Sequence, residues 1–341
     1  MTFADAATVS SDMTPVRVKP WGSEIPLKIV MSLMGLLLWA AIAISIFPLV
    51  YALFIAVILF FSHVVLIAHI RGSAVKLGPD QMPGLYQRVV ALCGRFGTKV
   101  PDIYLMQSNG VLNAFATKLG SRRFIVLHSD ILAACGSDTD ALDFVIAHEI
   151  GHLDRGHLSW RWLRAPAYIV PFLGAAYSRA CEHTCDRYGA AVCSAPQHAA
   201  NALALLAASK TYAPAVNMQA FVGQEETLET SLMKIGCWLS FYPSLARRVR
   251  VLVPDLRATP PRSHIVPTVG ALLIVLLWAA VPAALIYGAV EYFYKEQERF
   301  SQAGIMLAPD AGMGDQDAAP DNGDGVQIPA APDQSPPASK P

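Results

Sequence analysis

The chain has 341 residues, 26 Lys and Arg against 26 Asp and Glu, and a hydrophobic fraction of 54% with only 15% charged. Soluble globular domains run near 25% charged, which excludes a purely soluble globule as a description of the whole chain. The neutral total hides two opposed blocks, 20 positive and 14 negative charges in residues 69–264 against three positive and nine negative in 265–341; no dense Lys/Arg stripe with interleaved aromatics is present, which excludes a nucleic-acid partner.

Residues 1–28 form a short polar segment. From Ile29 to Ala68 there follow 40 residues without Asp, Glu, Lys or Arg. About 20 apolar residues cross a bilayer, so this run predicts a hairpin of two membrane helices, 29–46 and 50–68, turning near Pro48. Asp5, Asp12 and Glu24 precede the run, and its length is wrong for a signal peptide. A third uncharged run, Ile265 to Val290, predicts one further span. Basic residues cluster before the first run, after the second and before the third. The positive-inside rule therefore places residues 1–28 and the domain 69–264 in the cytoplasm. The tail 291–341 lies outside; rich in Pro, Gly, Ala and Asp, it has too few large apolar residues to build a core and is expected to be disordered. The chain thus reads as an integral membrane protein, with a bacterial inner membrane as the expected location and the lipid bilayer as a partner. Six cysteines form no CxxC pair and are expected to be reduced in that compartment.

Within 69–264, Ser137 and Asp140 read as a capping box opening a helix. Leu142, Val145, Ile146, Ile150 and Leu153 recur along it at helical spacing. On that helix stands His148-Glu149-x-x-His152. One helical turn puts both imidazoles on one face, where they can share a metal ion. Glu149, beside them, can reach a polarised water and act as general base. With nine His and nine Glu in the chain, chance placement gives about 0.006 such matches, so the motif is a strong signal. A hydrolytic zinc site takes a third protein ligand and keeps one position open. Glu182, His183, Asp186 and His157 are the candidates. His157 stands five residues after His152, where the three-histidine spacing needs six, and reads as a helix-end residue.

Five features together resemble one known family. They are His148-Glu149-x-x-His152, Glu182-x-x-x-Asp186, Asn113-Ala114-Phe115-Ala116, Pro243-Ser244-Leu245 followed by Arg248, and the flanking membrane helices. Over residues 80–252 the chain is similar to metallopeptidase family 48, the gluzincin family of the HtpX-like and CAAX prenyl endopeptidases. The resemblance implies one Zn2+ per subunit held by His148, His152 and Glu182. It implies Glu149 as general base and Asp186 as support for a ligating histidine. It puts Asn113 to Ala116 on an edge strand lining the cleft, where an extended peptide could pair with the backbone. Asn113 would donate to the oxyanion, and Arg248 would organise the cleft. One departure is Tyr242, which stands where the family usually has a histidine that helps stabilise the transition state; its hydroxyl can also donate.

The implied fold is α+β: a zincin-like domain, mainly helical with a small sheet, anchored by transmembrane helices. A helix is expected at 80–97, strands near 101–107, 113–118 and 122–127, and later helices at 196–210 and 216–236. His152 and Glu182 must meet at one metal, so the apolar stretch 162–177 between them cannot cross the membrane and is expected to be a non-crossing hydrophobic helix. The implied function is a membrane-integral zinc endopeptidase acting on misfolded membrane proteins. The alternatives are a zinc-stabilised scaffold of little activity and a prenyl-protein processing protease.

Overall fold

The computed structural model describes residues 15–44, 46–107, 114–136, 138–256 and 265–306. Its first two helices, α1 (Glu24–Ile44) and α2 (Ile46–Ser73), meet near the predicted turn. Both are long and apolar enough to cross a membrane. Pro48 lies in the first turn of α2, where a missing N–H leaves no intrahelical bond unmade. Almost all side chains of α2 are open to the surroundings, Ile67 and Ile70 excepted.

Those two isoleucines cover one face of a four-stranded sheet. It is built from β1 (Val75–Lys76), β2 (Asp102–Met106), β3 (Ala114–Leu119) and β4 (Arg122–His128), in the order β1-β2-β4-β3. β2 and β4 run parallel, with Ile103 opposite Ile125 and Leu105 opposite Leu127. β3 returns against β4 through Gly120, whose φ of 60° suits the tight turn. Alternation sends Tyr104, Phe124 and Val126 towards Ile67 and Ile70, and Ile103, Ile125 and Leu127 towards the main core. β3 forms an outer edge, as the resemblance implied for the Asn-Ala-Phe-Ala stretch, although Asn113 itself lies outside the described residues.

The main core lies on the other face of the sheet. α3 (Pro83–Phe96) and α4 (Ser129–Cys135) flank it, and α5 (Thr139–Asp154) runs through its centre. Asp138 caps α5 by accepting from the Ala141 amide at 3.0 Å. The expected pairing of Ser137 with Asp140 is not the cap: Ser137 lies outside the described residues, and Asp140 binds Ser194 instead. Against α5 lies α7 (Leu173–Ala190). Their close approach depends on Gly189, where a Cβ would stand 2.5 Å from the Phe144 ring.

The stretch 162–177 is not one helix. α6 (Arg161–Arg164) passes into a 3₁₀ turn, Ala165–Ile169, and the chain then enters α7. Pro166 and Pro171 each remove an amide that a continuous helix would need. The segment packs on the middle of α1: Trp39 Nε1 donates to the Trp162 carbonyl at 3.0 Å, and Gly35 leaves room for the Leu163 carbonyl. His152 and Glu182, on either side of it, come within 3.5 Å of each other, so it returns to the side it left.

α8 (Pro196–Tyr212) matches the Ala-rich segment. The helix expected at 216–236 is broken into α9 (Met218–Gly223), a 3₁₀ turn, Gln224–Leu228, and α10 (Ser231–Leu239). Asn217 and Thr230 each cap a new start, so the polar residues between the apolar patches serve as stops. α11 (Leu245–Leu252) closes the domain. α12 (Ile265–Met306) is the third helix long and apolar enough to cross a membrane. It continues past Val290, the expected end of the span, because Glu291 pairs with Lys295 and Glu296 with Arg299 at helical spacing. Residues from Ala279 onward form a second compact unit, and the tail beyond Met306 lies outside the described residues. The fold is α+β and mainly helical, with one small mixed sheet and three candidate membrane helices.

Candidate metal centre

α5 and α7 bring four predicted residues together. One turn apart on α5, His148 and His152 both turn Nε2 towards the Glu182 carboxylate on α7. His148 Nε2 lies 3.4 Å from Oε2, and His152 Nε2 lies 3.5 Å from Oε1. Burial opposes ionisation of Glu182, but both histidines outweigh it and hold the carboxyl well below its usual range. The site therefore offers two imidazole nitrogens and a fixed carboxylate converging on one point, the donor set that suits a divalent metal with one open position.

Cys185 offers a competing third donor, since its sulfur, His148 and His152 can bring ligand atoms within 4.8 Å of one another. Its chemistry argues against it. Burial, and then the nearby carboxylates Glu182, Glu149 and Asp186 with Cys181, push the thiol well above its usual range. The sulfur also lies 3.6 Å from His157 Nδ1, on the side of His152 away from Nε2. Glu182, held ionised, needs no proton removed before it can donate.

The far ring nitrogen of His148, Nδ1, meets Asp186 Oδ1 at 3.2 Å. Asp186 is fully buried, and Arg248 from α11 grips it with both arms of its fork, Nε to Oδ2 at 2.9 Å and a terminal nitrogen to Oδ1 at 2.5 Å. Arg248 was expected to act in the cleft on substrate or transition state. Its guanidinium is instead committed to Asp186, and it is buried with it. Burial disfavours a proton on His148, but hydrogen bonds to Asp186 and Glu182 lift it to about 10.

Glu149 is buried next to the histidines. Burial raises its pKa, while His152, His148 and a hydrogen bond to the Ala116 backbone pull it down; the net shift is upward. A carboxyl raised above its ordinary range is a stronger base than a free one, which suits a group that must take a proton and later return it. Because Ala116 belongs to the edge strand, this contact also sets β3 directly over the site.

Tyr242 lies in the loop before α11, 66% exposed. Burial and the charges of Glu182 and Glu149 push its phenol upward, which keeps the hydroxyl protonated. His183 is directed elsewhere: Trp21 stacks on its ring at 4.6 Å, and burial drives it down to about 4. Asn113 precedes β3 and lies outside the described residues.

Sequence reasoning missed Glu24. It counted only as a charge before the first apolar run, yet it is the first residue of α1 and fully buried. Thr184 donates to it at 2.5 Å and Arg155 at 3.3 Å. A carboxylate at the mouth of a membrane helix is costly without partners, and that cost was the available signal.

A model described as Peptidase family M48 matches residues 81–166. The Plastoglobule-localized metallopeptidase 48, chloroplastic, of Arabidopsis thaliana is 29% identical over 175 residues, 46% of this chain and 50% of that protein. The chain thus spans about half the length of this curated relative. The crystal structure of S. mikatae Ste24p is 17% identical with a TM-score of 0.37, covering 67% of this chain and 62% of that one. The matched model runs over β3 and the whole of α5, including both histidines, so the similarity to peptidase family M48 falls on the part of the chain that carries the candidate site.

Proposed function

We propose that the chain is a membrane-integral zinc endopeptidase, with His148, His152 and Glu182 as the metal ligands and Glu149 as the general base. The observation that carries this reading is the convergence of two Nε2 atoms on one ionised carboxylate, with a second, buried carboxyl beside them. When bound, zinc supplies Lewis acidity towards a peptide carbonyl and lowers the pKa of water in its open position. Glu149 takes a proton from the attacking water and returns it to the departing amine. The free edge of β3 aligns an extended peptide through backbone hydrogen bonds, which favours unfolded substrates of varied sequence. Asn113 and Tyr242 donate to the developing oxyanion.

The substrate class is misfolded membrane protein. The support is the position of α6 and the 3₁₀ turn against the middle of α1. The basic residues flanking the three apolar runs, among them Arg17, Lys19, Lys28, Arg71 and Lys76, support a cytoplasmic domain and an external C-terminal tail, as expected of a bacterial inner-membrane protein.

The test is Glu149→Gln in the full-length protein. It should retain one zinc per chain while cleavage of an unfolded membrane protein falls by about 10²–10⁴-fold. Unchanged cleavage would sink the assignment. A parent protein that binds zinc one-to-one yet cuts nothing would leave a zinc-stabilised scaffold as the better reading.

A further inference from the structure

The site as described uses Nε2 of His152 and leaves its other ring nitrogen unassigned. That nitrogen, Nδ1, lies 3.1 Å from Nδ1 of His157. Two imidazole nitrogens at that distance share one hydrogen, so one donates and the other accepts. With the His152 Nε2 lone pair offered to a metal, its Nδ1 carries the hydrogen and donates. His157 then accepts at Nδ1 and carries its own hydrogen on Nε2. His157 Nε2 is buried and makes no hydrogen bond of ordinary geometry; the Glu24 carboxylate stands beside it, with Oε1 at 3.4 Å. At that distance the contact is mainly electrostatic, a ring N–H facing a carboxylate in a buried setting.

Glu24 is fixed from other sides as well. Thr184, two residues after Glu182, donates to its second oxygen at 2.5 Å, and the Trp21 amide donates to that hydroxyl at 2.8 Å. Arg155, at the end of α5, supplies the compensating charge. The carboxylate is therefore held in place by α5, α7 and the segment before α1, with one direction left for His157.

We propose that Glu24 is a positioning residue of the metal site: through His157 it fixes the tautomer and ring orientation of His152, so that the first membrane helix is a structural part of the catalytic centre. The two histidines are then held alike at their far nitrogens. His148 meets a carboxylate directly, and His152 meets one through a second imidazole. Anchoring and catalysis are coupled, because displacing the start of α1 releases one of the ligands.

This inference rests on the reading of His148, His152 and Glu182 as one metal site, and the experiment separates the two. Full-length protein in detergent is titrated with zinc against a chelating indicator, and the visible spectrum of its cobalt-loaded form is recorded. Parent and Glu182→Ala come first. If the alanine variant binds zinc like the parent, the ligand set is wrong whatever Glu24 does. With that set established, Glu24→Gln should weaken zinc binding by about 10–100-fold and shift the cobalt bands. His157→Gln can accept from His152 and donate towards Glu24, and should stay within about threefold of the parent, whereas His157→Asn, one methylene shorter, should lose about tenfold. Glu24→Gln within twofold of the parent overturns the proposal, as does equal binding by the Gln and Asn variants at 157. If Glu24→Gln does not give a folded, monodisperse protein, the pair at 157 decides alone.

Discussion

The two ends of α5 are held by different physics. The opening half is tied down by groups that reach water: Asp138 caps the first turn, Asp140 binds Ser194 and His198, and Asp143 pairs with Arg88. The closing half is tied down by chains that run inward to buried groups, His148 through Asp186 to Arg248, and the partly open His152 through buried His157 to Glu24. Exposed pairs are screened and individually weak, and losing one returns its partner to solvent. Buried pairs have no such fallback, because removing one member strands the other without water. The helix therefore begins as replaceable scaffold and ends as a network that must be complete.

The sharpest way to break this comparison is at Arg248. Arg248→Ala strands Asp186 in the core and should lower stability by about 3–5 kcal/mol. It should also weaken the metal site, since Asp186 would no longer be held against His148. Arg248→Lys should fall between, because an ammonium cannot make both bonds of the fork. Denaturant unfolding of the metal-free protein, beside a zinc titration, measures both. A loss under about 1 kcal/mol would place the closing end in the same class as the opening one.

At the other end, Asp138→Ala removes the one side-chain cap of α5 and should cost about 1 kcal/mol. Zinc affinity should not change, since the cap lies two turns or more from the histidines. A parallel loss of metal would mean that the whole helix shifts as a unit and that the two ends are not independent.

The same division explains what could be read in advance. α5 and its ligands were legible because periodicity and the His148-Glu149-x-x-His152 spacing are local properties of one helix. Spacing put Glu182 and Asp186 on one helix face beside His183 and His157 as candidates, and only the family resemblance singled those two out. Arg248 was legible as part of a motif but its partner was not, because its fork is filled by a residue 62 positions away. Glu24 carried only a weak signal, its cost at the mouth of a membrane helix; its partners could not be read, because Thr184, Arg155 and His157 come to it only in the fold. The broken segments 162–177 and 216–236 failed for a simpler reason. Their prolines and capping residues were visible, but apolar content was given more weight than the stops.

The smallest expected effect is the most specific to the opening half. Burial raises the pKa of Asp140, but hydrogen bonds from the Ser194 hydroxyl and amide, and then His198, lower it further than burial raises it. A carboxyl depressed in the folded state adds stability above its unfolded pKa, near 4, and that stability is lost as pH falls through the folded value. The parent should therefore lose some of its unfolding temperature on acidification below about pH 5 through this group. Asp140→Asn, which cannot ionise, should be less stable than the parent at neutral pH, and the gap should close as pH drops. Added salt should narrow the same gap, because the carboxylate is only partly sheltered. Both trends separate the opening end from the closing one, where burial keeps Asp186 and Arg248 paired and a salt titration of the unfolding temperature should show little dependence on that pair.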